Sequence, residues 1–260
     1  MSKAFVDTTV LTDALLKTGD VSKRAISAIR GFDYSETPVY ALKEFAGGPL
    51  RYWIWAHNKL VKTRSLSKAL LEISALVRTP QKYAPSSMLE ALSIAIRGKP
   101  PSAGADDILA DRYAYAIRID ILAAWKRRRK LTTSVTYPIA CYEESPPELD
   151  GDGLFALKIP CSRERQCALR AHLVRQNTGL QKIRDVLLGQ SNKPENAKRL
   201  RVVKELIRNP KRDIDWKQCR HLGDAVFALL APPDCVILTT NLKDHLPLAE
   251  ALGKTARLPG

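Results

Sequence analysis

Four carboxylates stand at the ends of elements that the sequence pattern predicts, although they lie far apart in the chain. They are Asp7, Glu44, Asp224 and Asp244. Mg²⁺ and Mn²⁺ prefer oxygen ligands of this kind, and such ions activate water and offset the charge on a leaving oxygen. If the fold brings the acids together, we expect a site for Mg²⁺ or Mn²⁺ that suits the hydrolysis of phosphate diesters.

Two apolar runs predict strands that place part of this set at one edge of a sheet. The first run starts at Ala4 and ends at Asp7, and the second covers residues 235–239 without alternation, as strands of parallel sheets do. The carboxyl ends of parallel strands meet at a crevice where ligands bind. We therefore expect Asp7 and the turn that contains Asp244 to fall at this crevice.

The remaining acids are expected on helices. Thr37 and Pro38 have the residue types of a helix N-cap and first helical position, so they predict a helix that carries Glu44 and stops at Gly47-Gly48-Pro49. Residues 221–230 predict one apolar helix with Asp224 near its start.

The long middle of the chain is predicted to be mostly helical and basic. Residues 50–131 and the helix at 196–208 carry most of its positive charge. Residues 132–137 have the composition of a strand, and residues 154–159 are a second candidate strand that could pair with it.

Three stretches resemble the PIN-domain family, which includes the toxin ribonucleases of bacterial toxin–antitoxin pairs. Residues 5–11 (Phe-Val-Asp-Thr-Thr-Val-Leu) resemble its opening strand and first aspartate, and residues 37–45 resemble the helix that supplies a glutamate. Residues 223–228 and 237–245 resemble its C-terminal half, where a helix aspartate is followed by a strand and a Thr-x-Asn-x-x-Asp turn. His245 stands where the family usually has an aromatic residue.

This resemblance implies a three-layer α/β core with a central parallel sheet, and a role for each acid. Asp7 would be the central metal ligand, Glu44 and Asp224 would bind the ion directly or through water, and Asp244 would complete the set. The supporting polar groups would be Thr239 and Asn241. The family also implies an endoribonuclease and, for its toxin members, a small antitoxin-like protein partner.

Each acid also has a structural interpretation. Asp7 could simply end a strand, Glu44 could lie on a helix surface, Asp224 could be an acid in a first helical turn, and Asp244 could be a turn residue. A rival acidic cluster is explained by a helix N-terminus and consists of Asp106, Asp107 and Asp111. The four histidines have no metal-ligand spacing, and we expect each of them to be structural.

The charge balance favours a polyanionic partner. Lys and Arg number 42 against 27 acids, a formal net charge of +15, and nucleic acid is the commonest polyanion that basic proteins bind. The candidate contact residues are Arg127, Arg128, Arg129, Lys198, Arg199 and Arg201. A solvated basic face is the alternative, and Tyr52, Trp53 and Trp55 beside Arg51 could either stack on bases or pack in the core.

Composition excludes several other classes. The five cysteines are scattered without a C-x-x-C pair, which argues against a zinc module or disulfide framework and suits a reducing cytoplasm. No apolar stretch is long enough to span a membrane, so we expect a cytoplasmic protein with no membrane partner. A homodimer remains possible.

Together these patterns predict an α/β protein. Residues 1–50 and 215–260 would form a PIN-like nuclease core, and residues 51–214 a basic, mostly helical insertion. The expected function is a metal-dependent endonuclease acting on RNA. A non-catalytic nucleic-acid-binding protein on the same scaffold and a DNA-directed nuclease are the alternatives.

Overall fold

The computed structural model describes most of the chain. The described residues are 1–76, 83–98, 105–139, 144–159, 168–211 and 213–260. The strands are β1 (Lys3–Val6), β2 (Tyr34–Pro38), β3 (Ser134–Thr136), β4 (Glu148–Leu149), β5 (Phe155–Ala156), β6 (Val236–Leu238) and β7 (Thr255–Arg257). The helices are α1 (Thr8–Leu16), α2 (Gly19–Arg30), α3 (Val39–Phe45), α4 (Arg51–Thr63), α5 (Leu66–Ala75), α6 (Tyr83–Gly98), α7 (Asp106–Arg127), α8 (Leu169–Arg175), α9 (Asn177–Gly189), α10 (Pro194–Arg208), α11 (Trp216–Leu222), α12 (Asp224–Leu230) and α13 (Leu242–Ala251). A π-helical turn, Ala46–Leu50, joins α3 to α4.

Five strands form one parallel sheet in the order β3-β2-β1-β6-β7. The predicted α/β class with a central parallel sheet is therefore confirmed. In the central strand, Phe5 pairs with Glu36 of β2 on one side and with Ile237 of β6 on the other. From β1, the chain adds β2 and β3 on one side of the sheet and later adds β6 and β7 on the other side. Open parallel sheets form a binding crevice at the position where the strand order changes direction in this way.

The crossover connections distribute the helices over both faces of the sheet. Steps from β1 to β2 to β3 run in one direction, whereas steps from β3 to β6 to β7 run in the other. Because crossovers between parallel strands are right-handed, we expect the helices before β3 on one face of the sheet and those after β3 on the opposite face. Contacts of α1 with α3 and α7, and of α13 with α9 and α12, agree with this arrangement, which is compatible with a three-layer core.

The strand that carries the site is buried on both faces. Ala4, Phe5 and Val6 are each at most 1% exposed, and the Phe5 ring lies 4.7 Å from the ring of Phe227 on α12. This explains the absence of alternation in β1, because a central parallel strand covered by helices needs apolar side chains on both sides.

Two predicted elements are wrong in detail. Thr37 and Pro38 end β2 rather than beginning a helix, and Pro38 then caps α3. Polar residues such as Ser35 and Thr37 hid this strand from an apolar pattern, although both are buried. Residues 221–230 do not form one helix, because the chain turns at Gly223, whose φ of 37° favours glycine.

The pairing expected for residues 154–159 is also wrong. β5 pairs antiparallel with β4 in a separate two-stranded hairpin, while β3 joins the parallel sheet beside β2. The proposed insertion, 51–214, thus contributes an edge strand to the sheet, and its division from the core stays a prediction. Within the described ranges, no helix is long and apolar enough to cross a membrane.

Candidate functional site

Asp7 lies at the carboxyl edge of the sheet, where β1 passes into α1. Its carboxylate caps α1, and its Oδ2 accepts hydrogen bonds from the hydroxyls of Thr9 at 2.6 Å and Thr239 at 2.8 Å. Thr239 follows β6, and because Val6 is in register with Leu238, the residues after the two strands meet. Asp7 is 3% exposed, so these hydroxyls hold a largely buried carboxylate in one orientation.

Glu44 reaches the same place from α3. The hydroxyl of Thr8 donates to Glu44 Oε2 at 3.0 Å. Removal from water, followed by the negative charges of Asp7 and Asp224, raises the pKa of Glu44 from its ordinary value of 4.5 to about 8. This coupling indicates that three carboxylates from distant parts of the chain share one environment.

Asp224 begins α12 and is held by an arginine from α10. Nη2 of Arg199 donates to Asp224 Oδ2 at 2.7 Å, and Arg199 also donates to Asn196 Oδ1 and to the carbonyl of His221. The left-handed turn at Gly223 directs the chain from α11 into α12, so the first residue of α12 meets this guanidinium. One oxygen of Asp224 is therefore already paired.

His245 is a site residue that sequence reasoning treated as structural. Its Nε2 lies 3.6 Å from Asp7 Oδ2 and 3.4 Å from Asp224 Oδ1. The ring is 1% exposed and meets Phe227 edge to face at 5.4 Å, as an aromatic residue would at this position. Its Nδ1 has no hydrogen-bond partner among the described residues.

Asp244, the fourth predicted acid, is linked to Asp7 only indirectly, through Asn241 and Thr239. It is in the first turn of α13, where its Oδ2 accepts from Asn241 Nδ2 at 3.1 Å. It is absent from the described residues that line the cavity beside Asp7. Of the supporting residues, Thr239 contacts Asp7 and Asn241 donates its backbone N–H to the Thr239 hydroxyl at 3.0 Å.

A cavity of about 780 Å³ opens beside the three acids. This volume is in the range of ligand-binding pockets. The lining combines acids, basic side chains and aromatic rings: Asp7, Thr8, Thr9, Tyr40, Lys43, Glu44, Gly47, Gly48, Arg51, Tyr52, Trp55, Ile159, Cys219, Arg220 and Asp224. Sequence reasoning did not identify Tyr40, Lys43 or Arg220 as site residues. For Tyr40 and Lys43 a signal was present, because cavity residues recur every three to four positions from Tyr40 onward, which is the spacing of one helix face.

The residue types fit a hard divalent cation, but the described side chains do not form a ready coordination shell. Three carboxylates with mutually unfavourable charges face one cavity, and a bound cation would offset that repulsion. In the part of the chain that the structure describes, no group of three or more His, Cys, Asp or Glu side chains is close enough to hold an ion as it stands. Side-chain movement would be needed to complete a coordination shell.

The rival acidic cluster has a structural role in this fold. Asp106 accepts hydrogen bonds from the hydroxyl of Ser67 at 2.8 Å, from its backbone N–H at 3.2 Å and from the hydroxyl of Ser65. These bonds lower the pKa of Asp106. The carboxylate therefore ties the start of α7 to the start of α5.

The predicted nucleic-acid contacts divide into exposed and buried side chains. Arg127, Arg129, Lys198 and Arg201 are exposed, although Arg129 bonds the hydroxyl of Tyr137. Arg128 is buried, donates to Glu144 and to the carbonyl of Trp125, and lies 3.3 Å above the Trp125 ring. Arg199 points inward to Asp224, so it is not an exposed contact for nucleic acid as the sequence suggested.

No family model, curated protein or solved structure matches the chain. The functional interpretation therefore depends on the geometry of this site.

Proposed function

We propose that the chain is a divalent-metal-dependent endonuclease that hydrolyses phosphodiester bonds, with RNA as its preferred substrate, on a PIN-like scaffold. The observation that carries the proposal is the convergence of Asp7, Glu44 and Asp224 on one cavity at the carboxyl edge of the sheet. The net charge of +15 supports a polyanionic substrate. The PIN-type motifs identified in the sequence include these same three acids.

The chain's own groups have distinct tasks in this proposal. Mg²⁺ or Mn²⁺, when bound, would supply a Lewis acid for the phosphate and activate water. Asp7 is oriented for binding by the hydroxyls of Thr9 and Thr239. Arg199 holds Asp224 in place. Glu44, with a pKa near 8, can hold or release a proton at its carboxylate near neutral pH.

Basic side chains on the cavity wall would position the substrate. Lys43, Arg51 and Arg220 line the cavity together with the acids. Positive groups beside a phosphodiester orient it and offset its charge before the bond is broken. The cavity can therefore accommodate an anionic backbone although three carboxylates face it.

Cleavage of end-labelled oligonucleotides tests the proposal. Unstructured RNA, structured RNA and single-stranded DNA are incubated with Mg²⁺, Mn²⁺ or EDTA. We expect metal-dependent cleavage of RNA that falls at least roughly 100-fold in Asp7→Asn and Glu44→Gln, because loss of even an outer-shell metal partner costs 10–100-fold. Asp152→Asn, an exposed acid in the turn between β4 and β5, is the matched control and should retain cleavage, since Asp152 does not line the cavity.

A second candidate function is nucleic-acid binding without catalysis. Two observations favour it. The Arg199–Asp224 ion pair occupies one proposed ligand, and the described residues contain no group of three or more His, Cys, Asp or Glu side chains arranged to hold an ion. Metal-independent binding of RNA by the wild-type protein, with no cleavage under any metal, would support this candidate over the nuclease. Cleavage of DNA but not RNA would assign a DNA-directed nuclease.

A further inference from the structure

The cavity wall contains a continuous stripe on one helical segment. From α3 through the π-helical turn to α4, the backbone remains helical at Phe45, Ala46, Leu50 and Arg51. The cavity residues on this segment are Tyr40, Lys43, Glu44, Gly47, Gly48, Arg51, Tyr52 and Trp55. Their spacing of three to four residues places them along one face.

The stripe changes character from one end to the other. Glu44 and Lys43 lie at the end nearest the acids, whereas Tyr52 and Trp55 lie two to three turns further along. At 1.5 Å per residue, Trp55 is about 16 Å from Glu44 along the axis. This length corresponds to on the order of a few nucleotides, given a rise of about 3.4 Å per stacked nucleotide in one strand.

The aromatic end has the features of a stacking surface. The rings of Tyr52 and Trp55 are half-buried, 5.5 Å apart and inclined at 60°. Both pack partly against the core, which holds them in place, while both also line the cavity. Trp53, between them in sequence, is 3% exposed and belongs to the core, so of these three rings only Tyr52 and Trp55 line the cavity.

The middle of the stripe is open and positively charged. A Cβ atom at Gly48 would meet nothing within 4 Å, so this part of the wall leaves space for a chain to pass. Arg51 lies between the glycines and the two rings. A cation followed by aromatic rings is the combination that proteins use to bind single strands, since cations track phosphates and rings stack on bases.

We propose that this cavity binds single-stranded nucleic acid, with an unpaired base stacked at Tyr52 and Trp55 and the backbone running along α4 past Arg51 towards Asp7 and Glu44. A duplex is disfavoured because its bases are already paired and stacked and cannot reach rings in a concave wall. The inference rests on the proposed function only in assuming that a phosphodiester bond is hydrolysed beside Asp7 and Glu44. The stacking contact itself needs no metal.

Binding is measured in EDTA, which separates it from cleavage. A labelled unstructured RNA oligonucleotide, the DNA of the same sequence, and the corresponding duplexes are titrated with full-length protein and followed by fluorescence anisotropy. We expect both single strands to bind more tightly than their duplexes. Trp55→Leu, which keeps apolar volume but loses the ring, should bind the single strands roughly tenfold more weakly.

Two further variants control for packing. Trp55→Phe keeps an aromatic face and should bind within about threefold of wild type. Tyr115→Leu removes an exposed ring on α7, outside the cavity, and should leave binding unchanged. Oligonucleotide should also quench tryptophan fluorescence in the wild type but not in Trp55→Phe, and this readout remains available even if Trp55→Leu does not fold.

Equal affinity for single strands and duplexes would overturn the inference, and so would unchanged quenching in Trp55→Phe. The proposed function can fail independently. Binding that depends on Trp55 without any metal-dependent cleavage would reject the nuclease and keep the stacking site. Cleavage that needs Asp7 but is insensitive to Trp55→Leu, with duplex bound as tightly as single strand, would keep the nuclease and reject the stacking site.

Discussion

Arg199 and Asp224 form an ion pair between α10 and the first residue of α12, with Nη2 and Oδ2 2.7 Å apart. Their side chains are only 10% and 25% exposed. The pair joins a helix from the basic middle of the chain to an acid that the sequence assigned to a metal site. The geometry of the site therefore depends on a residue that the sequence analysis named as a candidate nucleic-acid contact.

Replacing Arg199 tests how much this pair contributes to stability. We expect Arg199→Met to lower the free energy of unfolding by about 3 kcal/mol, because it leaves a partly buried carboxylate without its cation. Urea denaturation at neutral pH measures the change. Arg201→Met, an exposed arginine on the same helix, should change stability by no more than about 0.5 kcal/mol, and equal effects of the two substitutions would contradict the pairing.

The raised pKa of Glu44 predicts a pH dependence of stability. Between its ordinary value of 4.5 and about 8, the folded protein holds a proton that the unfolded chain has released. The contribution of Glu44 to stability is therefore full below pH 4.5 and is lost as pH rises towards 8. Glu44→Gln should remove this part of the dependence and should gain stability relative to wild type as pH increases.

Urea denaturation in EDTA across this pH range measures the effect, and the quantity of interest is the difference between wild type and Glu44→Gln. Glu148→Gln, on the exposed hairpin strand β4, is the matched control and should parallel wild type. Parallel curves for wild type and Glu44→Gln would show that burial and the charges of Asp7 and Asp224 do not raise the pKa of Glu44.

Thr239 holds Asp7 through a buried hydroxyl. It donates to Asp7 Oδ2 and accepts from the backbone N–H of Asn241. Thr239→Val keeps the shape but removes both bonds, so we expect a loss of about 1–2 kcal/mol in the free energy of unfolding, measured by urea denaturation. Thr240→Val, the exposed neighbour, should be nearly neutral, and a comparable loss there would argue against the hydroxyl network.

Lys254 stabilises the C-terminal end of α12. Its Nζ donates to the carbonyls of Ala228 at 2.7 Å, Leu229 at 3.4 Å and Ala231 at 2.6 Å. Lys254→Met should cost about 2 kcal/mol, because carbonyls at a helix end lose a charged donor. Thermal and urea denaturation measure the cost. Lys204→Met, an exposed lysine on α10, should have little effect, and a stable Lys254→Met protein would contradict this role.

The sequence pattern predicted correctly those strands whose signal lies in consecutive residues. The apolar runs before Asp7 and at 235–239 predicted β1 and β6, because buried parallel strands need uninterrupted apolar residues. Since the carboxyl ends of parallel strands lie at one edge of the sheet, the sequence could also place Asp7 and the residues after β6 at that edge. That the two strands are neighbours came from the structure. It could not find β2, because polar residues such as Ser35 and Thr37 obtain their strand partners only from the assembled sheet.

The sequence alone determined that this is a basic α/β protein with acids at the carboxyl edge of its central strands. Tertiary structure decided which side chains share the site, because that depends on the rotation of helices about their axes and on partners distant in sequence. It brought Arg199 inward to Asp224, placed His245 beside Asp7 and Asp224, and turned Tyr52 and Trp55 to the cavity wall. A helix pattern fixes the spacing of side chains, but only packing fixes the direction in which a face points.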